Sequence, residues 1–348
     1  MRNSPLPKLL FCAVVALGFT ALPASSAVVS LPALNVDTTN ITVSGMSSGA
    51  AMAVQMGYAY SATFKGVGVF AGSPYACQNH YAYTACQNNS VISTAMLNVM
   101  QADINTWSSA GAIDNKANVA GQNIYLFVGA IDGVVGPHPM QAVQTQYVSN
   151  GVPSVSLIQR ANTAHVFPTD FAATGNNACN WSLSPFIANC SYDGAKAVLS
   201  QFYGTLNARN NAPAAANYLQ FNQNEFTSNR GMAPTGWVYV PAVCANGATK
   251  CKLHVAFHGC AQNYATIGDK FIKNTGYTRW ADTNAIVVLF PQTQADNMAY
   301  PTPANGTASN PNGCWDTIGF YSTGYANQAG PQLSAIKAMV DRIKSASH

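Results

Sequence analysis

Charged residues are scarce in this chain of 348 residues. Asp, Glu, Lys and Arg make up only 8% of the sequence, whereas globular proteins have about 25%. The formal net charge is +4, and no run of Lys or Arg provides the basic patch that nucleic-acid binding needs. An apolar fraction of 48% nevertheless indicates a folded core rather than a disordered chain. The composition therefore predicts no nucleic-acid partner and favours an uncharged substrate.

Long apolar segments are also missing after the N-terminus, so we expect no membrane-spanning helix and no membrane partner. At the N-terminus, two basic residues precede an almost wholly apolar run over 9–22, and the small residues Ser25-Ser26-Ala27 follow it. Such a run is shorter than the roughly 20 residues that span a bilayer, and its flanks are typical of a cleaved secretory signal. We therefore predict a signal peptide over 1–27 and a secreted protein over 28–348. A retained N-terminal anchor is the alternative.

No CxxC pair occurs, which argues against a structural zinc site. One of the nine cysteines, Cys12, falls in the predicted signal peptide, and an even number in an exported chain indicates disulfides. Eight cysteines allow about a hundred connectivities. One of these connectivities pairs the cysteines that are close in sequence, Cys77–Cys86, Cys179–Cys190 and Cys244–Cys251. It leaves Cys260 and Cys314 as the fourth pair.

Apolar segments of strand and helix type alternate along the chain. Strands are predicted at 40–45, 64–72, 123–129, 155–160, 236–241, 252–257 and 284–291, and helices at 50–60, 93–108, 193–203 and 331–344. Alternation of this kind indicates an α/β fold with a mostly parallel central sheet. The polar stretch 204–235 is either a linker between domains or a surface excursion. We favour a single domain, because the strands on both sides of it fit one sheet.

The segment Gly45-Met46-Ser47-Ser48-Gly49 matches the pattern G-x-S-x-G. It lies between a predicted strand and a predicted helix, which is the setting of a nucleophile elbow in an α/β-hydrolase. We therefore predict Ser47 as a nucleophile and the backbone N–H of Ser48 as one donor of an oxyanion hole. A Ser/Gly-rich turn without catalytic function is the alternative.

A serine nucleophile needs a histidine base and a carboxylate that orients it. His165 follows a predicted strand in a loop, whereas the rival His138 lies in a loop flanked by proline. Asp132 follows the strand 123–129 directly, at the sheet edge where open α/β folds collect their site residues. The order Ser47, Asp132, His165 is that of α/β-hydrolases. Asp170 and Asp103 are weaker alternatives for the carboxylate because neither directly follows a strand.

The second oxyanion donor usually comes from an HG loop that precedes the nucleophile in sequence. Here the sequence His258-Gly259-Cys260 follows a predicted strand late in the chain instead. The parts of an α/β-hydrolase are present in rotated order. This predicts a circularly permuted α/β-hydrolase fold, with helices on both faces of the sheet.

Five segments, SGMSSGAAMAVQ, VGAIDGVVGP, ANTAHVFPTD, HVAFHGCAQN and NPNGCWDTIGFY, closely resemble extracellular poly(3-hydroxybutyrate) depolymerases of the single-domain, circularly permuted type. The similarity runs from about residue 30 to the C-terminus. This resemblance implies that Ser47, Asp132 and His165 form the catalytic triad and that Cys260 supplies the second oxyanion N–H.

The same resemblance bears on the neighbourhood of Cys314. It implies a disulfide between Cys260 and Cys314, and it implies that Trp315 lines the substrate crevice. Thr317 stands where we would expect a second aromatic residue, which leaves the preferred acyl chain open.

The function implied is hydrolysis of poly(3-hydroxybutyrate)-type polyesters to hydroxyacid oligomers through an acyl-enzyme. We expect no metal or cofactor, a hydrophobic polyester or its oligomers as the binding partner, and a monomer. A secreted esterase for soluble or plant-derived esters, of feruloyl or acetyl type, is the alternative enzyme. A binding protein on a hydrolase scaffold is disfavoured, because every catalytic part is present.

Overall fold

A computed structural model describes residue 1 and residues 27–346 of the chain. The predicted signal peptide therefore lies outside the described residues except at its two ends. Among the residues that the structure describes, no helix is long and apolar enough to cross a membrane.

The centre of the fold is an eight-stranded sheet with the order β4-β3-β2-β1-β10-β11-β9-β8. Neighbouring strands from β4 to β11 run parallel, and β9 and β8 join antiparallel at one edge. A three-stranded sheet (β5-β7-β6) and a two-stranded hairpin (β12-β13) lie apart from it. The strands are β1 (Val36–Met46), β2 (Phe64–Phe70), β3 (Asn123–Gly129), β4 (Leu157–Arg160), β5 (Phe167–Thr169), β6 (Asn177–Ala178), β7 (Ile187–Asn189), β8 (Tyr218–Asn222), β9 (Thr235–Tyr239), β10 (Cys251–Phe257), β11 (Ile286–Phe290), β12 (Asp296–Thr302) and β13 (Gly306–Asn310).

Helices connect the parallel strands and cover the sheet. They are α1 (Ser48–Ala59), α2 (Cys77–His80), α3 (Thr94–Ser109), α4 (Pro137–Ser149), α5 (Gly194–Tyr203), α6 (Tyr264–Ile267), α7 (Lys270–Asn274), α8 (Tyr277–Thr283) and α9 (Pro331–Ile343). Successive side chains of a strand point to opposite faces. A Cβ on Gly66 of β2 would meet Phe202 of α5, whereas a Cβ on Gly57 of α1 would meet Val67. Helices α5 and α1 therefore cover opposite faces, and the expected α/β character is confirmed.

The central strands are apolar along their whole length because both of their faces are covered. Every residue of β11 is buried, as is β1 from Ile41 to Met46. Continuous apolar runs are typical of parallel strands in this situation. This pattern explains why the predicted strands lie within a few residues of the observed ones.

Several elements of the observed fold are absent from the sequence prediction, and β8 and α4 are two of them. The polar stretch 204–235 contains β8, which pairs with β9 at the edge of the same sheet. An edge strand buries little, so its sequence lacks the apolar run of a central strand. The segment Pro137–Ser149 forms α4 where only a loop was expected around His138.

The parallel strands bring four segments that are distant in sequence together at the carboxyl end of the sheet. The carboxyl ends of β1, β3, β4 and β10 lead directly into the segments that carry Ser47, Asp132, His165 and His258, respectively. Because parallel neighbours end at the same edge, these side chains converge although they are far apart in sequence.

Candidate active site

Ser47 occupies a strained turn between β1 and α1. Its backbone has φ 57° and ψ −123°, a conformation that costs a non-glycine residue about 1–3 kcal/mol. The turn is tight, since a Cβ on Gly45 would lie only 2.2 Å from the carbonyl oxygen of Gly49. The N–H of Ser47 donates to the carbonyl of Phe70 on the neighbouring strand (3.0 Å), which anchors the turn. This is the backbone geometry of a nucleophile elbow.

Asp132 and His165 form a buried hydrogen-bonded pair. The Nδ1 atom of His165 lies 2.8 Å from Oδ2 of Asp132, and the other carboxylate oxygen accepts the backbone N–H groups of Val134 and Val135 (both 2.9 Å). Burial raises the pKa of Asp132, but the proximity and hydrogen bond of His165 and the two N–H donors outweigh it and lower the pKa overall. The carboxylate therefore stays ionised and can orient the imidazole and stabilise its protonated form.

The loop that carries His165 is held from both sides. The N–H of His165 donates to Oγ of Ser182 (3.0 Å), and the preceding N–H of Ala164 donates to the carbonyl of Cys179 (2.9 Å). The disulfide between Cys179 and Cys190 closes this segment. The position of the imidazole is thus fixed by local contacts as well as by Asp132.

Ser47 and His165 line one cavity of about 810 Å³. No hydrogen bond joins the Oγ of Ser47 to His165 in the part of the chain that the structure describes. Such contacts are often long without substrate and tighten when it binds. The shared cavity gives both side chains access to the same reacting group.

The rival residues are engaged elsewhere. His138 lies in the first turn of α4, with Nδ1 bonded to the carbonyl of Asn89 (2.9 Å), and it is not among the residues that line the cavity. Asp170 pairs with Arg209 and Asp103 with His80. The structure thus brings Ser47, Asp132 and His165 to one site and leaves these three alternatives outside it.

Two backbone N–H groups at the cavity are free. Within the described residues, neither the N–H of Ser48 nor that of Cys260 donates a hydrogen bond, and both residues line the cavity beside Ser47. Free N–H groups next to a nucleophile are what the developing oxyanion of acyl transfer requires.

His258 is neutral and fixes the loop before Cys260. Its Nε2 lies 3.2 Å from the backbone N–H of Thr293, which can only donate. The proton of the neutral ring must therefore be on Nδ1, which donates to the carbonyl of Gly259 (2.7 Å). Complete burial lowers the pKa of His258 to about 4, against the raising effect of the Gly259 bond. The imidazole acts here as a fixed hydrogen-bond donor.

Within residues 27–346 there are four disulfides: Cys77–Cys86, Cys179–Cys190, Cys244–Cys251 and Cys260–Cys314. The last bond has the longest span of the four, with a sequence separation of 54 between its partners. It ties the HG loop to the segment that follows β13. Both of its cysteines line the cavity, so the bond forms part of the cavity wall.

Trp315 is not part of that wall, and the prediction that it lines the crevice is wrong for this structure. Its side chain is 0% exposed, and its Nε1 donates to the carbonyl of His258 (2.9 Å). The ring packs against Phe257 and His258, so it supports the HG loop from behind. Thr317, two residues further on, does line the cavity. The sequence shows an apolar residue beside the cysteine but not which way it points.

One wall of the cavity was not predicted. Residues at the turn and end of the β12-β13 hairpin line it together with residues of the first disulfide loop. The Oδ1 of Asn305, at the hairpin turn, accepts the backbone N–H of Tyr83 (2.7 Å) and joins the two segments. The dipeptide Asn305-Gly306 is a strong hairpin signal and could have located this wall.

Comparison with known proteins gives two related sequences. A polyhydroxybutyrate depolymerase from Talaromyces funiculosus is 43% identical over 334 residues, which cover 95% of this chain and 96% of that protein. A poly(3-hydroxybutyrate) depolymerase from Delftia acidovorans is 46% identical over 326 residues, or 92% of this chain. The match spans 62% of the Delftia protein, so the chain corresponds to less than two thirds of it. No protein-family model matches the chain.

Two solved structures are similar over the same range. The crystal structure of a polyhydroxybutyrate depolymerase from Penicillium funiculosum has a TM-score of 0.87 at 43% identity and covers 92% of this chain and 100% of its own. A serine-to-alanine variant of a polyhydroxybutyrate depolymerase, in complex with an R3HB trimer, gives the same values: TM-score 0.87, 43% identity, 92% and 100% coverage.

Proposed function

The chain belongs to the polyhydroxybutyrate depolymerase family, and from this membership we propose that it is a secreted serine esterase acting on poly(3-hydroxybutyrate)-type polyesters. It is a hydrolase of ester bonds that releases hydroxyacid oligomers. The observation that carries the mechanism is the Asp132–His165 pair, whose imidazole lines the same cavity as a strained Ser47 and two free backbone N–H groups. A related enzyme bound to an R3HB trimer supports oligomers as the bound substrate.

In the first half of the reaction, Oγ of Ser47 attacks the ester carbonyl while Nε2 of His165 takes its proton. Asp132 holds the imidazole through Nδ1–H and stabilises the imidazolium. The tetrahedral oxyanion lies between the N–H groups of Ser48 and Cys260. His165 then gives its proton to the departing hydroxyl end, and the acyl group remains on Ser47.

In the second half, water attacks the acyl-enzyme and His165 again acts as the base. Its proton returns to Ser47 as the hydroxyacid leaves, so the enzyme ends in its starting state. The reaction uses only groups of this chain and water. One ionised carboxylate, one neutral imidazole and one hydroxyl are sufficient for it.

The fold that supports this chemistry is proposed to be a circularly permuted α/β-hydrolase. The elbow after β1 comes early in the chain, whereas the HG loop follows β10, which pairs with β1 in parallel. In the usual order the strand with the HG loop precedes the elbow. Residues 28–348 then form one domain, because β8 and β9 extend the sheet that carries the elbow.

Secretion is proposed from the N-terminal sequence and the cysteines. All eight cysteines after Cys12 are paired in the structure, a pattern typical of oxidising compartments. We propose removal of 1–27 as a signal peptide and a monomeric mature protein. A solid polymer would be contacted by apolar side chains at the cavity rim, among which Tyr83 and Val134 are 47% and 39% exposed.

The test compares purified polyester with soluble esters. The protein expressed as 28–348 should clear a poly(3-hydroxybutyrate) suspension and release 3-hydroxybutyrate oligomers, measured by liquid chromatography, and Ser47→Ala should release none while melting at the wild-type temperature. Because triad members act as a unit, loss of the nucleophile removes nearly all activity. Hydrolysis of feruloyl, acetyl or p-nitrophenyl esters without release from polymer would support the soluble-ester alternative and overturn the polymer assignment.

A further inference from the structure

Gln262 is a buried polar residue with no part in the mechanism above. It follows the HG loop, lines the cavity and is 1% exposed. Its Oε1 accepts the N–H of Gly259 (2.7 Å), and its Nε2 donates to the carbonyls of Pro185 (2.8 Å) and Phe186 (3.3 Å). One side chain thus bonds two segments that are 77 residues apart in sequence.

On the side of the HG loop, Gln262 holds the two peptide groups that flank Gly259, one through its side chain and one through its backbone. Its own backbone N–H donates to the carbonyl of Gly259 (3.2 Å), which also accepts Nδ1–H of His258. The carbonyl of Gly259 and the N–H of Cys260 belong to the same planar peptide and point in opposite directions. The side chain fixes the peptide before Gly259 through its N–H, and the backbone N–H fixes the peptide after it through its carbonyl. Together these two bonds set the direction of the Cys260 N–H.

On the other side, Gln262 contacts the segment behind the proposed base. The ring of Phe186 stands edge-on to the imidazole of His165, with 6.4 Å between ring centroids. The carbonyl of Phe186 also accepts the N–H of Phe167 (2.8 Å), so this segment is itself fixed. The side chain of Gln262 thus connects the HG loop directly to this segment.

We propose that Gln262 is a positioning residue that holds the Cys260 N–H at a fixed place relative to His165. This inference rests on the proposed function. Oxyanion donors act only when they are held within about 0.5 Å of the productive geometry. An interaction of this kind matters most in the transition state, because the oxyanion is formed only there.

The first test is Gln262→Met, which keeps the length of the side chain, removes its bonds to Gly259, Pro185 and Phe186, and leaves the backbone bond to the carbonyl of Gly259 in place. With p-nitrophenyl butyrate we expect kcat to fall about 10- to 100-fold and KM to change less than about threefold. The matched control is Gln122→Met. Gln122 is also buried and donates to two backbone carbonyls, Gly57 (2.8 Å) and Phe64 (2.9 Å), but it precedes β3 at the opposite edge of the sheet. The Gln122→Met variant should have a lower melting temperature and an unchanged kcat.

A second readout separates positioning from general weakening of the fold. An alkyl boronic acid forms a tetrahedral adduct with a serine nucleophile, so its inhibition constant should rise in Gln262→Met by about the factor by which kcat/KM falls. A kcat within twofold of that of Gln122→Met, or an unchanged inhibition constant, would overturn the proposal. If Ser47→Ala retained activity, the proposed mechanism itself would fail, which is a separate outcome.

Gln262→Glu provides a test that does not depend on the stability of the methionine variant. As a carboxylate, Glu would still accept from Gly259 but would place a second bare oxygen against the carbonyls of Pro185 and Phe186. Burial and these carbonyls favour the protonated acid, which can donate as glutamine does. The ratio of kcat/KM between the variant and the wild type should therefore fall as the pH rises from 5 to 8.

The other titratable groups of the site, His165, Asp132 and His258, are present in both proteins, so their ionisations cancel in this ratio. A ratio that does not change with pH would contradict the assigned hydrogen bonds of Gln262.

Discussion

Gly49 and His258 are in backbone contact although they lie in separate halves of the chain. A Cβ on Gly49 would be 2.2 Å from the carbonyl oxygen of His258. The last glycine of the elbow is therefore required because the HG loop passes directly against the first turn of α1. Ser48 directly precedes Gly49, and Cys260 lies two residues after His258, so we expect this contact to govern the spacing between the N–H groups of Ser48 and Cys260.

Gly49→Ala should accordingly separate the two oxyanion donors. The added methyl group must push the HG loop away, and loss of one donor lowers kcat about 10²- to 10³-fold. Steady-state kinetics with a soluble ester, together with thermal melting, measure both effects. The control is Gly121→Ala, since a Cβ there meets nothing within 4 Å. Full activity in Gly49→Ala would show that the loop can shift without loss of the oxyanion hole.

The second prediction distinguishes His165 from His138. His165→Ala should lower kcat at least about 10⁴-fold, because the nucleophile loses its base. His138→Ala should leave kcat within about twofold, since the imidazole of His138, at the start of α4, bonds only the carbonyl of Asn89 among the described residues. Both variants are compared under the same conditions by ester hydrolysis. The opposite ranking would assign the base to His138.

The third prediction concerns the disulfide between Cys260 and Cys314. Replacing both by serine keeps the backbone N–H of Cys260 but releases the HG loop, so we expect kcat to fall at least about tenfold. The stability lost by opening its loop of 54 residues is about 4 kcal/mol. Non-reducing peptide mapping checks the bond itself in the wild type.

The matched control for this variant is the pair Cys244→Ser and Cys251→Ser, at the opposite end of β10 from the HG loop. It should lose about 2–3 kcal/mol of stability with kcat unchanged. The bond between Cys179 and Cys190 is unsuitable as a control, because the carbonyl of Cys179 holds Ala164 beside the base. Equal losses of kcat in the two double variants would rule out a specific role for Cys260–Cys314.

The fourth prediction concerns acid stability and His254. This residue is fully buried, with Nδ1 at 2.7 Å from Oγ1 of Thr42 and Nε2 at 2.8 Å from Oγ of Ser44, and burial lowers its pKa from 6.5 to about 3. Between these two values the unfolded chain binds a proton that the folded protein does not. The stability that the neutral His254 contributes is therefore fully present above about pH 6.5 and is lost as the pH falls toward 3.

The measurement is the free energy of unfolding in urea for the wild type and His254→Gln. From pH 7 to pH 5, the wild type should lose about 2 kcal/mol relative to the variant. Other groups with shifted pKa values, such as His258 and Asp316, occur in both proteins and cancel in the difference. A difference independent of pH would mean that His254 is not held neutral in the fold.

The sequence alone was sufficient to predict those elements and residues whose signal lies within a few neighbouring residues. The strands of the parallel sheet are continuous apolar runs, and their residues are buried on both faces, so the positions of β3 and β10 could be predicted closely. The G-x-S-x-G pattern locates a turn because its glycines are needed within five residues. Asp132 and His165 could be chosen because each follows a strand, and parallel strands end at one edge.

Tertiary structure decided what depends on contacts between residues distant in sequence. The strand β8 is defined by its pairing with β9, not by its own polar sequence, and Asn305 and Tyr83 form a wall only because two loops meet. The tautomer of His258 follows from its contact with the N–H of Thr293. Trp315 lies behind the HG loop because its indole N–H finds the carbonyl of His258 there. A residue's type determines which bonds it can make, but the packing of the whole chain determines which partner is within reach.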